Sequence, residues 1–455
     1  MALFAGDAEP AGRREFGSTS DARPAAKESD RQSSIWLNRS KQELESSSNP
    51  GPSLTGSNGL LERSRRSNPD SGAIRAGLIR LSSPGRYLAN AQGLFERVSG
   101  SSGSMVRLAN FCAMIVAELK RDDGLDSMLE FEIDARLGGQ TRRFVVAAAQ
   151  FGSMQWVAEK LGARAVIAAC MGVKDRVREA IQLLSSSQIV ERTVYTHTGW
   201  RRLDAGWCYL HGAGAIRPDG AISEIKSSLP EVLAPYVLPP PPSGSALKSA
   251  LHASLSILAL APDRGTVPVL GALWRSVLGT ADFSVFLYGE TGRFKTALAT
   301  LLQQHFGAGF CADGLPGSWI STSNFNERLA FVVKDALLVF DDFRPAGSAS
   351  PRERFHQDAD RLLRGAANRV GRGRLRSDGS MLPTTPPRAL ILSTGEQMPE
   401  GESLRARMIM VEVGPADIDQ GKLSVCQRDA ANGMYARRWP PISHGGENRP
   451  VSFPA

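Results

Sequence analysis

The chain has 455 residues, of which 42% are hydrophobic and 22% charged, with a formal net charge of +8. That length has room for two or three domains with well-packed cores, and the charge is compatible with a polyanionic partner without requiring one. The five cysteines (Cys112, Cys170, Cys208, Cys311, Cys426) are scattered with no C-x-x-C pair, which argues against a disulfide frame or zinc site and for reduced thiols. The most apolar run, LHASLSILALAP, is too short to span a bilayer, and the first residues meet charge at once. The expectation is a cytoplasmic protein without a membrane segment.

In chain order, residues 1–104 are rich in Ser, Gly, Pro, Arg and Asn with no sustained apolar period. They are expected to be mostly disordered, or to derive from remodelled coding sequence. An α+β region follows over 105–237. There RLANFCAMIVAEL reads as a strand entering the turn RDDG, and LEFEIDARL and TRRFVVAAA form a hairpin around Gly138-Gly139. FGSMQWVAEKLG and VKDRVREAIQLLSSS carry helical spacing, and IVERTVYTHTGW and AGWCYLHGAGAI read as two further strands. His197, Trp200, Trp207 and His211 suggest a ligand site, but no acid or cysteine stands at metal-ligand spacing, which favours hairpin packing.

Residues 238–281 hold a proline spacer and a helical bridge. Over 282–414 the order strand, loop, helix, strand predicts a parallel sheet with helices on both faces, an α/β domain of the P-loop NTPase kind. Residues 415–455 read as a short helix and an unstructured tail.

The stretch FSVFLYGETGRFKTALATLLQQHFG has the layout of a phosphate loop. Gly289, Thr291, Gly292, Arg293, Phe294, Lys295 and Thr296 would wrap a triphosphate. Backbone N–H groups and a helix N-terminus would face the phosphates, with Lys295 reaching them and Thr296 holding Mg²⁺. Phe294 stands where the usual pattern has glycine. The expectation is that it begins the helix with ordinary angles and turns its ring to the core, since only positions needing positive φ demand glycine. A chance strand–turn–helix is the competing reading, and the downstream elements weigh against it.

KDALLVFDDF ends an apolar strand on two acids, costly unless a cation waits there. Asp341 would hold the metal's water shell and Asp342 orient or deprotonate the attacking water. PRALILSTGEQMP ends a further strand on Ser393 and Thr394, small polar groups within reach of a γ-phosphate. Arg405 and Arg407 precede the next strand and could stabilise transition-state charge across a subunit boundary, although taken singly each reads as a surface residue. Between these elements runs an arginine series with no intervening acid. Arg369, Arg372, Arg374 and Arg376, with glycines at 371 and 373, predict an exposed hairpin that binds phosphate backbones without reading sequence. The alternatives are contacts to a neighbouring subunit's ATP or a solvated loop. Arg361 and Arg364 are assigned structural roles.

Several of these stretches carry a resemblance over about 108–413: RVREAIQLLSSS, VYTHTGWRRLDAGWCYLHGAGAI, YGETGRFKTALATLLQQHFG, SWISTSNFNERLAFVVKDALLVFDDF, NRVGRGRLRSDG and PRALILSTGEQMPEGESLRAR. The chain resembles a family of uncharacterised ATP-binding proteins of mobile elements and prophages, whose domain of unknown function is linked to primase modules. The ATPase half is similar to superfamily 3 helicases and AAA+ proteins. The resemblance implies tolerance of a bulky residue before the loop lysine, a hexameric ring, and a DNA-touching hairpin at Arg369 to Arg376. It does not cover the first hundred residues, and it breaks off at MYARRWPPISHGGENRP, which suggests a clipped C-terminus. The resulting expectation is an ATP- and Mg²⁺-dependent, helicase-like protein acting on DNA, with a primase or other replication partner. A non-enzymatic nucleotide- or DNA-binding scaffold is the alternative.

Overall fold

The computed structural model describes residues 85–98, 104–187, 189–376 and 378–438. Strands Tyr87–Asn90, Gly93–Arg97 and Met105–Ala109 make a three-stranded antiparallel sheet. The first two fall within 1–104, so the expectation of disorder there is corrected for 87–97. Leu94 is fully buried, and Tyr87 hydroxyl donates to Glu179 of the neighbouring helix. This short segment is held by packing that its own weak periodicity does not reveal. The expectation for 1–84 lies outside the described residues.

The long strand Phe111–Asp122 is central in a five-stranded sheet. Its order is Lys226–Ser227, Val190–Tyr195, Phe111–Asp122, Ser127–Leu137, Gln140–Ala147. Gly138 (φ +56°) and Gly139 (φ +84°) make the tight turn of the Ser127–Leu137/Gln140–Ala147 hairpin, the left-handed pair that matches strand twist. Helix Val173–Ser185 packs on the long strand, and its Ser185 hydroxyl accepts the Ile115 N–H at 2.8 Å beside a bulge. The sequence read as two strands after this helix is more finely divided. A four-stranded meander runs Gly199–Leu203, Gly206–His211, Gly214–Arg217, Gly220–Ile222.

Five parallel strands form the second sheet, in the order Gly317–Ser318, Leu337–Phe343, Leu390–Gly395, Ser284–Tyr288, Met408–Glu412. Val285 to Leu287 and Leu337 to Phe340 are fully buried, as a parallel sheet with both faces covered requires. Helix Lys295–Gln303 packs on this sheet, and Gln303 completes the edge of Leu337–Phe343. Its amide donates to the Leu337 carbonyl at 3.3 Å and accepts the Val339 N–H at 3.0 Å. Helix Ala349–Asn368 lies over the two central strands, with Phe355 against Phe343. Helix Gln420–Ala431 and the turn Tyr435–Arg438 bury Leu423, Cys426 and Tyr435 in the same core. The segment after 414 thus continues the domain as far as 438, and the expected tail beyond lies outside the described residues. No helix among the described residues is long and apolar enough to cross a membrane.

The two sheet systems meet at the base of Leu337–Phe343. Thr198 and Lys334 exchange bonds of 2.9 Å, the Asp335 carboxylate accepts the Trp200 N–H at 3.0 Å, and Tyr209 hydroxyl donates to the Asp335 carbonyl at 2.7 Å. Arg388 is nearly buried over the Phe331 ring, 3.8 Å from its centroid. It donates to the carbonyls of Phe331 (2.7 Å) and Asp123 (2.9 Å). His197 fills this joint, its Nδ1 2.7 Å from the Thr198 carbonyl and its Nε2 buried without a partner. His211 accepts the N–H groups of Ala213 and Leu238 through Nδ1. Both histidines are structural, as is Trp200, which packs on Tyr209 and donates to the Val277 carbonyl.

Burial pushes both histidines down to about 4, aided at His197 by Arg388 and Lys334. The folded state therefore disfavours their protonation. Stability is full above the ordinary value of 6.5 and falls as pH drops towards 4, by at most about 3 kcal/mol per histidine. Urea unfolding between those pH values is expected to show this loss. His211→Asn, which keeps an acceptor but cannot protonate, is expected to flatten it.

Candidate phosphate-binding site

All five parallel strands end on one edge, where ligands of open parallel sheets bind. Ser284–Tyr288 brings the chain there between Leu390–Gly395 and Met408–Glu412. It continues into the loop Gly289 to Phe294 and then into helix Lys295–Gln303. Gly289 (φ +152°) passes so close to the next strand that a Cβ would lie 2.5 Å from the Val413 carbonyl oxygen, and Gly292 takes φ +83°.

Phe294 departs from expectation. It adopts φ +59°, ψ +21°, the left-handed conformation, and the residue is 40% exposed. The loop must curl immediately before the helix, so this position needs positive φ whichever residue occupies it. An L-residue pays roughly 1–2 kcal/mol for that conformation.

Lys295 is buried, and its ammonium donates to the carbonyls of Gly289 and Glu290 at 2.8 Å each, folding over the loop. Burial holds its pKa below the usual lysine range, against the opposing pull of Glu396, Asp341 and Asp342. Arg293 pairs with Glu290 on the loop. At the second position of the helix, Thr296 hydroxyl donates to Asp341 Oδ1 at 3.0 Å, and Thr394 hydroxyl donates to the same oxygen. Thr394 Oγ1 in turn accepts the Asp342 N–H at 3.3 Å. Asp341 and Asp342 sit in a bulge between Phe340 and Phe343. Asp342 takes φ +60° and is exposed, the re-aiming of a side chain that bulges accomplish.

Gly289, Thr291, Gly292, Lys295, Thr296, Asp341, Asp342 and Thr394 thus converge on this edge. Ser393 does not share their role, being fully buried and accepting the Trp319 indole N–H at 2.5 Å. Arg405 and Arg407 lie elsewhere. Met408 pairs beside Ser284, whereas the loop leaves from Tyr288, beside Glu412. Four steps along the strand put these arginines about 13 Å away, at the opposite end of the sheet. Arg407 donates to the Ser403 carbonyl and hydroxyl at 2.6 and 2.7 Å, and Arg405 is exposed on the short helix Glu402–Arg405.

The hard oxygens of Thr296 and Asp341 suit Mg²⁺, which keeps several waters and takes further ligands from phosphates. Among the described residues no cluster of three His, Cys, Asp or Glu that could hold a metal ion occurs.

One residue of the site escaped the sequence reading. Glu396, the first residue beyond Leu390–Gly395, accepts a hydrogen bond from Thr291 hydroxyl and pairs with Arg344 at 3.7 Å. Its position just after Ser393-Thr394 was the available signal, but a single acid in a loop has no periodicity to mark it.

The arginine series splits in two. Arg361 and Arg364 pair with Asp358 and Asp360 along helix Ala349–Asn368. Arg369 closes that helix in the left-handed conformation, and a small hairpin follows, Arg374–Leu375 against Met381–Leu382. Arg369, Arg372, Arg374 and Arg376 are all exposed, as are Leu375 and Met381. Arg372 and Arg374 reach Asn324 at 3.4 and 2.9 Å, and Arg374 pairs with Glu327 at 3.1 Å.

No protein-family model matches the chain, and no curated protein matches it. Among solved structures it is similar to the helicase Cch of SCCmec type IV, with TM-score 0.44 and 14% identity, covering 77% of this chain and 63% of that one. JCV helicase with a bound inhibitor gives TM-score 0.28 and 18% identity, over 42% of this chain and 52% of that one. The NrS-1 C-terminal region gives 0.27 and 10%, over 68% and 63%. The chain thus spans less than two thirds of each of these structures. These likenesses are distant, and the reading of the site stands on its own geometry.

Glycine is the residue best suited to the conformation at 294. Phe294→Gly is expected to relieve strain and stabilise the fold by up to about 1 kcal/mol, net of the added freedom of the unfolded chain. Phe294→Val, branched at Cβ, is expected to destabilise it. Denaturant midpoints at constant slope measure both.

Proposed function

We propose that the chain is a P-loop ATPase of helicase-like kind that acts on DNA. The observation that carries this reading is Asp341, at the end of a parallel strand, joined through one carboxylate oxygen to Thr296 of the loop helix and Thr394 of the adjacent strand. In this reading the loop from Gly289 to Phe294 wraps the phosphates of ATP. Lys295 transfers its two hydrogen bonds from loop carbonyls to phosphate oxygens. Bound Mg²⁺, held through Thr296 and Asp341, would neutralise charge on the phosphates. Asp342, re-aimed by the bulge, accepts a proton from or orients the attacking water, and Thr394 holds the Asp341 carboxylate in line.

Arg405 and Arg407 are too far along the sheet to serve the loop of their own chain, so in this reading they serve a neighbouring subunit's site. A homo-oligomer, such as a ring of six, supplies that neighbour. The hairpin and the exposed Arg369, Arg372, Arg374 and Arg376 form the DNA-facing surface, binding by charge and not by sequence. A place in mobile-element replication, beside a primase, is the setting in which such a motor is used. The mixed character of the site, with an L-residue at a glycine position, keeps a non-hydrolysing nucleotide or DNA scaffold as the second reading.

DNA-stimulated ATP turnover separates the two readings. Wild type is expected to hydrolyse ATP faster with DNA, and Lys295→Ala to lose at least about two orders of magnitude. Equal rates in both would rule out catalysis at this loop. For the basic surface, Arg372→Ala and Arg376→Ala are each expected to weaken binding to any DNA sequence. Each is expected to shallow the slope of log affinity against log salt by about one where it contacts a phosphate. An unchanged slope in both would remove the hairpin from the interface.

A further inference from the structure

Glu396 is an acid in an anion site. In the proposed reading the edge it occupies takes negative charge, at the N-terminus of helix Lys295–Gln303 and near the Lys295 ammonium. Asp341 has a reason to be there, being tied to Thr296 and Thr394 in the arrangement that suits a metal. Glu396 has a different set of partners. It takes the hydroxyl of Thr291, in the middle of the loop, and the guanidinium of Arg344, just beyond the double-aspartate strand. It is also the foremost of the acids whose charge acts on Lys295.

All three groups are donors or cations that a bound polyphosphate would use. Thr291 and Arg344 are exposed, and the Glu396 side chain is only 31% exposed between them. The carboxylate therefore draws one loop residue and one strand-end residue together across the mouth of the phosphate loop. An arriving phosphate competes with it twice, by wanting the same donors and by like-charge repulsion.

We propose that Glu396 is an internal anion that closes the empty phosphate loop and is displaced by the terminal phosphate of a nucleoside triphosphate, so that it sets the loop's affinity. This rests on the reading of the loop as a nucleotide site. Displacement releases Thr291 and Arg344 to the phosphates, and loss of the phosphates lets the carboxylate return. Glu396 thereby favours an empty loop between turnovers. It is a positioning residue that acts through Thr291 and Arg344, and no bond is made or broken on it.

The test is equilibrium binding of ADP and of a non-hydrolysable ATP analogue to the full chain, in wild type, Glu396→Gln, Glu396→Asp and Lys295→Ala. Glu396→Gln keeps an acceptor for Thr291 and removes the charge. It is expected to bind the triphosphate roughly fivefold more tightly, the size of one partly exposed charge interaction, and ADP by a smaller factor. Glu396→Asp keeps the charge and is expected to stay nearer to wild type than Glu396→Gln. In turnover, KM and kcat should both fall in Glu396→Gln, since a tighter loop releases product more slowly. Wild-type or weaker affinity in a folded Glu396→Gln overturns the proposal.

The Lys295→Ala arm separates this failure from failure of the parent reading. If it binds nucleotide as well as wild type does, the loop is not the nucleotide site and both readings fall. If only Glu396→Gln gains nothing, the gate alone falls. Binding by Glu396→Gln where wild type binds none supports the gate, and binding by neither overturns it together with the nucleotide reading.

Discussion

One carboxylate oxygen holds the candidate site together. Asp341 Oδ1 accepts hydroxyl bonds from Thr296, on the helix that follows the loop, and from Thr394, on the neighbouring strand. The three residues come from segments about 45 and 53 positions apart in the chain, and only the parallel pairing of Leu337–Phe343 with Leu390–Gly395 brings them to one edge. Replacing one partner would leave a half-buried acid with a single donor, whose desolvation is no longer offset. In the proposed reading, the loop, its lysine and the Thr296 hydroxyl would take a metal–phosphate unit because this acid is tied to the same edge.

Around that node the backbone is held in conformations that residues other than glycine avoid. Phe294 and Asp342 both lie in the left-handed region. One curls the loop into the helix, and the other turns a second carboxylate out of the strand. Conformational cost of this sort persists only where surrounding packing over-determines it. Here the buried strands Val285 to Leu287 and Leu337 to Phe340 supply that packing.

The accessory sheets join the parallel sheet at the opposite end, at the base of the double-aspartate strand. Asp335, Lys334 and Arg388 tie Thr198, Trp200 and the turn at Asp123 to the residues that start that strand. The accessory sheets and the start of the strand that carries Asp341 are thus joined by direct hydrogen bonds. Asp335 and Arg388 are buried there, and Lys334 is partly exposed. Such a joint gains specificity of geometry more than net stability, since desolvation offsets much of the attraction.

The sequence by itself determined the local chemistry: a loop with Gly289 and Gly292, Lys295 and Thr296 after it, an apolar strand ending in two acids, a strand ending in Ser393-Thr394, and an arginine-rich turn in a hairpin. These were legible because strand and helix periods and turn residues are local properties. Three things were not. The left-handed angle of Phe294 follows from how the loop must enter its helix, and no side-chain preference announces it. The separate duties of Ser393 and Thr394 depend on which face of the strand each one meets, Trp319 for one and Asp341 for the other. The partners of Glu396 and the remoteness of Arg405 and Arg407 depend on strand order and direction, which only the assembled sheet decides, because contacts between segments so far apart in sequence are set by packing and not by local propensity.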